Sequence, residues 1–154
     1  LLSPTYFLER ALENSAQLQP ATLEQLLAKP PAVIVLADIG VVPETERETL
    51  ETWIDSGGVL IRFAGPVFSQ ASDDLVPVEI RGRERALGGA MSWASAQRIA
   101  PFDADSPFAG LLPPPDVLID RQVLAEPTVD LTSKTWARLL DGTPLVTAEQ
   151  RGDG

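Results

Sequence analysis

Four residues that follow apolar runs of this chain have types and spacing that could support chemistry. Asp38 and Gly40 come directly after one apolar run, and Gly65 and Ser69 come shortly after the next. In open α/β sheets, ligands bind in the crevice at the carboxyl ends of the strands. Both segments are therefore candidate ligand-contacting loops, in which Asp38 could serve as a base or ligand and Ser69 as a nucleophile.

Each candidate also has a structural interpretation, which we favour. Asp38 could cap its own loop by accepting backbone N–H groups. Gly65, in the turn at residues 64–66, permits backbone angles or a close approach that other residues forbid. Ser69 would need a base to become a nucleophile, and its surroundings do not match the G-x-S-x-G elbow. The sequence therefore assigns no catalytic residue.

The chain contains neither cysteine nor histidine. The absence of cysteine excludes disulfides, thiolate metal sites and a cysteine nucleophile. The absence of histidine removes the usual general base and the commonest metal ligand. Acid–base chemistry would depend on carboxylates, Lys, Tyr, Ser or Thr. We therefore expect neither enzyme activity nor a bound cofactor.

Acidic residues outside the two loops could supply oxygen ligands to Ca²⁺ or Mg²⁺, namely Asp73, Asp74, Asp103 and Asp105. Such a site needs several converging oxygens, often with a glycine in the loop. The segment around Asp103 is short and lacks that glycine. Helix capping by Asp105 or Ser106 is the better explanation, so we expect no metal site.

The basic and aromatic residues give two further candidates. Arg81, Arg83 and Arg85 alternate in sequence, so a strand pair would place them on one face. They could bind a carboxylate or phosphate, although a solvated hairpin tip is the simpler interpretation. The three tryptophans, Trp53, Trp93 and Trp136, are expected to lie in the core or to cover it. The alternative is that they form a platform on which a sugar stacks.

Composition limits the class of partner. The formal net charge is -10, and such an acidic surface disfavours nucleic acid and anionic lipid headgroups. No run of about 18 apolar residues is present, so we expect no direct membrane insertion by this piece. Its 154 residues suggest one domain.

The first part of the chain has the pattern of a βαβ unit. Residues 32–37 are a continuous apolar run, which is typical of a parallel strand covered on both faces, and residues 59–63 are predicted to be the next strand. Between them, a helix is predicted from Pro43, with left-handed glycines ending it at Gly57 and Gly58. Its predicted buried stripe is Leu50, Trp53 and Ile54. Two shorter helices are expected before the first strand, one starting at Ser3–Pro4 and one at a capping box at Thr22–Gln25.

The second part of the chain is predicted to be rich in β-strands. We expect strands at 76–81 and 86–93 joined across 82–85, a strand at 117–124, and a hairpin around Asp141–Gly142. The prediction is one α/β domain over 1–154, with a βαβ core at 1–66 and a β-rich elaboration at 67–154. A discrete β subdomain is the alternative.

Several segments resemble a family of large bacterial membrane proteins: "PAVIVLADIG", "LETWIDSGGVLIRFAGP", "ALGGAMSW", "SPFAGL" and "TWARLLDGTPLVTAEQRGDG". In that family a BatA-like double-transmembrane segment precedes such a region and a DUF4159-type domain follows it. The resemblance implies a flavodoxin-like three-layer sandwich related to class I glutamine amidotransferases, on the extracytoplasmic (periplasmic) side of the inner membrane. It also implies that the chain is a fragment, with a further sheet strand after Gly154.

The resemblance does not carry amidotransferase activity with it. Enzymes of that fold use Cys at the strand-to-helix elbow with His and Glu as partners, and this sequence has neither Cys nor His. We therefore expect a non-catalytic module that binds a protein partner or other domains of its parent chain. The alternative is a carboxylate-dependent hydrolase or small-ligand-binding domain that uses the strand-end loops, with Asp38 as base or ligand.

Overall fold

The computed structural model describes residues 5–71, 73–81 and 90–154, with the side chains of 90–94 left aside. It divides into two compact units. Unit 1 contains Leu1–Phe63 and Gln150–Gly154, and unit 2 contains Ala64–Glu149. The choice between one elaborated domain and a discrete β subdomain stays a prediction.

Unit 1 contains a parallel pair of strands. Its elements are helix α1 (Tyr6–Leu12), helix α2 (Leu23–Ala28), strand β1 (Val33–Ala37), helix α3 (Glu44–Asp55) and strand β2 (Val59–Phe63). The two strands pair in parallel, in a register that runs from Val33 opposite Val59 to Ala37 opposite Phe63. The predicted βαβ unit is confirmed, and the mixed helices and small sheets are those of an α/β protein.

The start of α2 follows from its sequence. The Thr22 hydroxyl accepts the Gln25 N–H at 3.3 Å, and the Gln25 side chain accepts the Thr22 N–H at 3.1 Å. This reciprocal pair satisfies two of the donors that a helix start leaves without an intrahelical partner. The predicted capping box is confirmed, whereas the start expected at Ser3–Pro4 lies outside the described residues.

A Schellman motif ends α3. The Gly57 N–H donates to the Ile54 carbonyl at 2.9 Å, and the Gly58 N–H donates to the Trp53 carbonyl at 3.0 Å. Gly57 has φ +101°, a left-handed angle that favours glycine. The chain can therefore turn directly from α3 into β2, as the Gly-Gly pair predicted.

The parallel pair is buried on one face. Ile34 and Leu36 are almost fully buried and belong to a core that includes Leu50 and Ile54 of α3. Side chains of a strand alternate between faces, so the odd-numbered residues of both strands share the opposite face. Several of those are exposed. The expectation that both faces are covered is therefore wrong for the described chain.

Unit 2 combines one short helix with antiparallel strands. Its elements are helix α4 (Pro66–Gln70) and strands β3 (Ala90–Gln97), β4 (Ile119–Val123), β5 (Thr135–Arg138) and β6 (Pro144–Thr147). β3 pairs with β4, and β5 pairs with β6. The β5–β6 pair is the hairpin predicted around Asp141–Gly142, and Gly142 has φ +89° in its turn.

One strand pairing in unit 2 differs from the prediction. Ile80 forms a bridge with Ala125, and the Arg81 N–H donates to the Leu124 carbonyl at 2.8 Å. Residues 79–81 therefore pair with the chain that continues β4, and no regular strand forms over the described residues 76–81. The expected connection at 82–85 lies outside the described residues. The alternation of apolar and polar residues predicted a strand, but it could not specify which segment of the chain that strand would pair with.

Candidate functional site

Asp38 continues the hydrogen-bonding ladder of the parallel strands. Its N–H donates to the Phe63 carbonyl at 2.9 Å. The residue has φ +51°, a left-handed angle that Asp tolerates better than most residues. Asp38 is half-buried and Gly40 is buried. The loop thus leaves β1 through a tight backbone turn at the position where the sequence predicted a candidate ligand.

Arg62 binds the carbonyl groups of this loop. Its Nη2 donates to the Ile39 oxygen at 2.9 Å and to the Gly40 oxygen at 2.6 Å. Charge-assisted bonds of this kind are stronger than neutral ones. The two carbonyls are therefore engaged by the scaffold itself, which gives Arg62 a structural role that the sequence analysis missed. The available signal was a single arginine inside the apolar run 59–63.

Gly65 and Ser69 belong to α4. Gly65 is the N-cap, with φ -133° and ψ -161°, and Pro66 is the first helical residue. These angles are extended backbone and not the left-handed region, so of the two expected roles of Gly65 only a close approach stays a prediction. The Ser69 hydroxyl donates to the Pro66 carbonyl at 2.9 Å within the same helical turn. Gly65 and Ser69 belong to unit 2, whereas Asp38 and Gly40 belong to unit 1.

The acidic candidates have local structural contacts. The Asp73 carboxylate accepts the Leu75 N–H at 3.1 Å, and Asp103 forms a 2.8 Å ion pair with Arg138. The Ser106 hydroxyl accepts the Phe108 N–H at 3.2 Å in a hydrogen-bonded turn, and no helix begins there, so the predicted helix capping is wrong. No group of three metal-ligating side chains converges anywhere in residues 5–71, 73–81 or 90–154.

The structure describes only some of the basic and aromatic candidates. Arg81 pairs loosely with Glu126, at 3.9 Å and with both side chains well exposed. Arg83 and Arg85, and the side chain of Trp93, lie outside the described residues. The Trp53 indole donates to the Pro31 carbonyl at 3.1 Å, as a half-buried residue that covers the core. Trp136 stays 43% exposed and makes an edge contact with the Phe108 ring.

A lysine-centred network closes the open end of the β5–β6 hairpin. Lys134 Nζ contacts Glu149 at 2.8 Å, Asp130 at 2.9 Å and the Pro77 carbonyl at 3.0 Å. The hydrogen bond from Lys134 is the main cause that lowers the pKa of Asp130 to about 2. The bonds to Glu149 and Asp130 raise the pKa of Lys134. Sequence spacing gave no signal for Glu149, because the hairpin brings it to the lysine.

An open groove lies between α2 and α3. It has a volume of about 510 Å³, and its lining includes Leu27, Pro30, Glu48 and Trp53. None of the candidate loop residues lines it. The groove therefore gives Asp38 no adjoining site for a substrate.

The most unusual surface of unit 1 is an exposed apolar face of the parallel strands. Its members, which we call the exposed sheet face, are Val33, Val35, Ala37, Val59, Ile61 and Phe63. Val33 is 44% exposed, Val59 47%, Ile61 41% and Phe63 51%. Clustered apolar surface of this kind marks interaction sites, whereas single exposed apolar residues need no explanation.

Comparison with known proteins finds no matching family model, no matching curated protein and no matching solved structure. The family resemblance of the quoted segments therefore stays an expectation. Within the part of the chain that the structure describes, no helix has the length and apolar character needed to cross a bilayer.

Proposed function

We propose that this chain is a non-catalytic module that binds a partner, or helps to assemble a larger protein, through the exposed sheet face. The proposal includes a flavodoxin-like, amidotransferase-related scaffold in a bacterial membrane-anchored protein, with this module on the extracytoplasmic side. These parts of the proposal are supported by the family resemblance of several sequence segments. The docking surface is supported by the exposure of apolar side chains on the parallel strands.

The observation that carries the proposal is the two-sided apolar composition of the strands. Parallel strands occur almost only where both faces are covered. Here one face contains the core residues Ile34 and Leu36, while the register places only apolar residues on the other. A sequence selected to face water on that side would alternate with polar residues, as half-exposed strands do. The composition therefore favours a covered face in the working protein.

The contacts of the candidate loops agree with a structural role for them. Arg62 engages two carbonyls of the Asp38 loop, and the Ser69 hydroxyl bonds within its own helix. A nucleophilic serine needs a base within hydrogen-bonding reach, and histidine is absent from the sequence. These contacts support binding over catalysis as the function of the module.

Site-specific photo-crosslinking in the cells that make the protein tests this proposal. Phe63 is replaced by p-benzoylphenylalanine, which keeps an aromatic ring at a half-exposed position of the face. The matched control carries the same group at Glu48, an exposed residue of α3. We expect a discrete adduct from position 63 that is missing from position 48, because only position 63 would lie in an interface.

Equal crosslinking from both positions, or no adduct from position 63, would refute the proposal. Mass spectrometry of the adduct then identifies what covers the face. A substrate-like small molecule in the adduct would instead favour the small-ligand-binding alternative.

A further inference from the structure

Strand β5 presents a tryptophan ring on its solvent side. Burial alternates along residues 136–140: Ala137 and Leu139 belong to the core, whereas Trp136 is 43% exposed. Alternate residues of a strand point to the same side, so Arg138 shares the solvent side with Trp136. This surface belongs to unit 2, and the proposed function, which concerns strands of unit 1, does not use it.

The segment at residues 102–108 fixes the position of this ring. The Ser106 hydroxyl donates to the Trp136 carbonyl at 2.8 Å and accepts the Phe108 N–H at 3.2 Å. The Phe108 ring stands at 81° to the indole, with 6.4 Å between the ring centroids. Phe102 packs on Phe108 in turn, with centroids 5.2 Å apart. A surface that is ordered before a ligand arrives loses little conformational entropy on binding.

The same segment supplies polar groups beside the ring. Arg138 Nη2 donates to Asp103 Oδ2 at 2.8 Å, and the Asp103 side chain stays 56% exposed. A carboxylate accepts hydrogen bonds and a guanidinium donates them, so the pair can bond hydroxyl groups, which do both. Among the described residues, the indole N–H of Trp136 has no hydrogen-bond partner, so it is a further donor.

An aromatic face bordered by donors and acceptors matches the surface of a pyranose ring. A gluco-configured ring carries C–H groups on its faces and hydroxyls around its edge. The face of an indole is electron-rich and attracts such C–H groups, while the polar pair can bond the hydroxyls. A protein partner would favour a continuous apolar patch, but the charged Arg138 interrupts the apolar side chains of Trp136 and Leu140. The net charge of -10 disfavours an anionic sugar.

We propose that Trp136, together with the Asp103–Arg138 pair, forms a binding site for a neutral, gluco-configured saccharide. The indole stacks on one face of a single pyranose ring, and the carboxylate and guanidinium bond hydroxyls at the edge of that ring. The site is independent of the exposed sheet face, so either can be correct without the other.

Saturation-transfer difference NMR on the full chain tests the site with two soluble neutral probes, cellotetraose and maltotetraose. We expect transfer from the protein to the ring C–H protons of at least one of them. Sorbitol should show none, because it has hydroxyls but no flat C–H face. Trp136→Ala should weaken binding of the oligosaccharide at least about 10-fold, because the stacking surface is lost. Trp136→Phe keeps an aromatic ring and should restore part of the binding.

A matched control separates stacking from general apolar contact. Leu140→Ala removes another exposed apolar side chain, which is 61% exposed and lies outside the proposed site. This variant should bind like the unmodified protein. Asp103→Ala should weaken binding at least about 5-fold, because hydroxyls of the sugar lose a charged acceptor. Circular dichroism checks that each variant is folded, and Asp103→Ala decides in place of Trp136→Ala if the latter is not.

The inference fails if neither oligosaccharide receives transfer, if Trp136→Ala binds as well as the unmodified protein, or if Leu140→Ala loses as much binding as Trp136→Ala. A discrete protein adduct from p-benzoylphenylalanine at position 136 would also overturn it, because the ring would then lie in a protein interface. None of these results would affect the proposed function, which is tested at position 63.

Discussion

Replacing Gly58 by alanine tests the packing that joins α3 to the parallel strands. A Cβ built at Gly58 overlaps the indole of Trp53, with Cζ2 only 2.6 Å away and two further ring atoms closer still. The indole is held in place by its bond to the Pro31 carbonyl. The Gly58 N–H also donates the outer bond of the Schellman motif, so the backbone cannot move away freely.

The expected loss of stability follows from these contacts. Moving the indole forfeits a hydrogen bond worth about 1 kcal/mol, and overpacking adds about 1–3 kcal/mol. Gly58→Ala should therefore lower the free energy of unfolding of unit 1 by about 2–4 kcal/mol. Gly57→Ala is the matched control, because its φ of +101° is strained for alanine but the nearest atom lies 3.8 Å away. That backbone strain alone costs about 1–2 kcal/mol.

The free energy of unfolding of both variants can be measured by urea unfolding monitored by circular dichroism. Hydrogen exchange of peptides from unit 1 then shows whether the loss of stability lies in that unit. The double variant Gly58→Ala with Trp53→Leu should lose less stability than the sum of its single variants, since the clash partner is smaller. Equal costs for Gly58→Ala and Gly57→Ala, or strictly additive losses in the double variant, would refute this account of the turn.

Two further predictions concern the charged contacts. Arg62→Met should speed hydrogen exchange across residues 38–42 and destabilise unit 1 by about 1–3 kcal/mol, because two loop carbonyls lose a charged donor; unchanged exchange there would contradict the role given to Arg62. Because Lys134 lowers the pKa of Asp130 from 3.8 to about 2, this ion pair stabilises unit 2 above pH 4 and is lost as the pH falls towards 2. In urea titrations, Lys134→Met should therefore have a lower free energy of unfolding than the unmodified protein at pH 7, and it should lose less of that free energy between pH 4 and 2. The control variant Arg81→Met, which removes a loosely paired charge, should show the same dependence of stability on pH as the unmodified protein.

Local signals in the sequence predicted the elements of unit 1 well. The capping box at Thr22–Gln25, the Gly57–Gly58 pair and the apolar runs each specify structure through neighbouring atoms. The same holds for the turn at Asp141–Gly142, because local bonds close it: the Gly142 N–H donates to the Leu139 carbonyl and the Thr143 N–H donates to the Asp141 carboxylate. Elements defined by short-range contacts were therefore predictable.

Contacts between distant segments were not predictable in the same way. The pairing of residues 79–81 with the end of β4, and the meeting of Lys134 with Glu149, depend on which segments the fold brings together. The helix α4 was missed because Pro66 was interpreted only as a turn residue, although proline is also favoured at the first helical position. At the candidate loops, Arg62 was missed because it was counted as part of an apolar strand.

The exposed sheet face shows how composition and structure must be combined. The apolar run at 32–37 predicted cover on both faces, and the described chain covers one. The composition of a strand reflects which of its faces are covered in the working protein, and that cover can come from another molecule. The difference between prediction and structure thus became the observation on which the proposed function depends.

The central claim, that one face of the parallel strands is core and the other is an interface, is tested most directly by comparing Ile34→Ser with Ile61→Ser. Both change isoleucine to serine in paired strands, but Ile34 is 1% exposed and Ile61 is 41% exposed. We predict that Ile34→Ser lowers the free energy of unfolding by about 3–5 kcal/mol. Ile61→Ser should change it by less than about 1 kcal/mol and instead lower the yield of the adduct crosslinked from position 63. An equal loss of stability in both variants, or an undiminished adduct from position 63 in the Ile61→Ser chain, would contradict the claim.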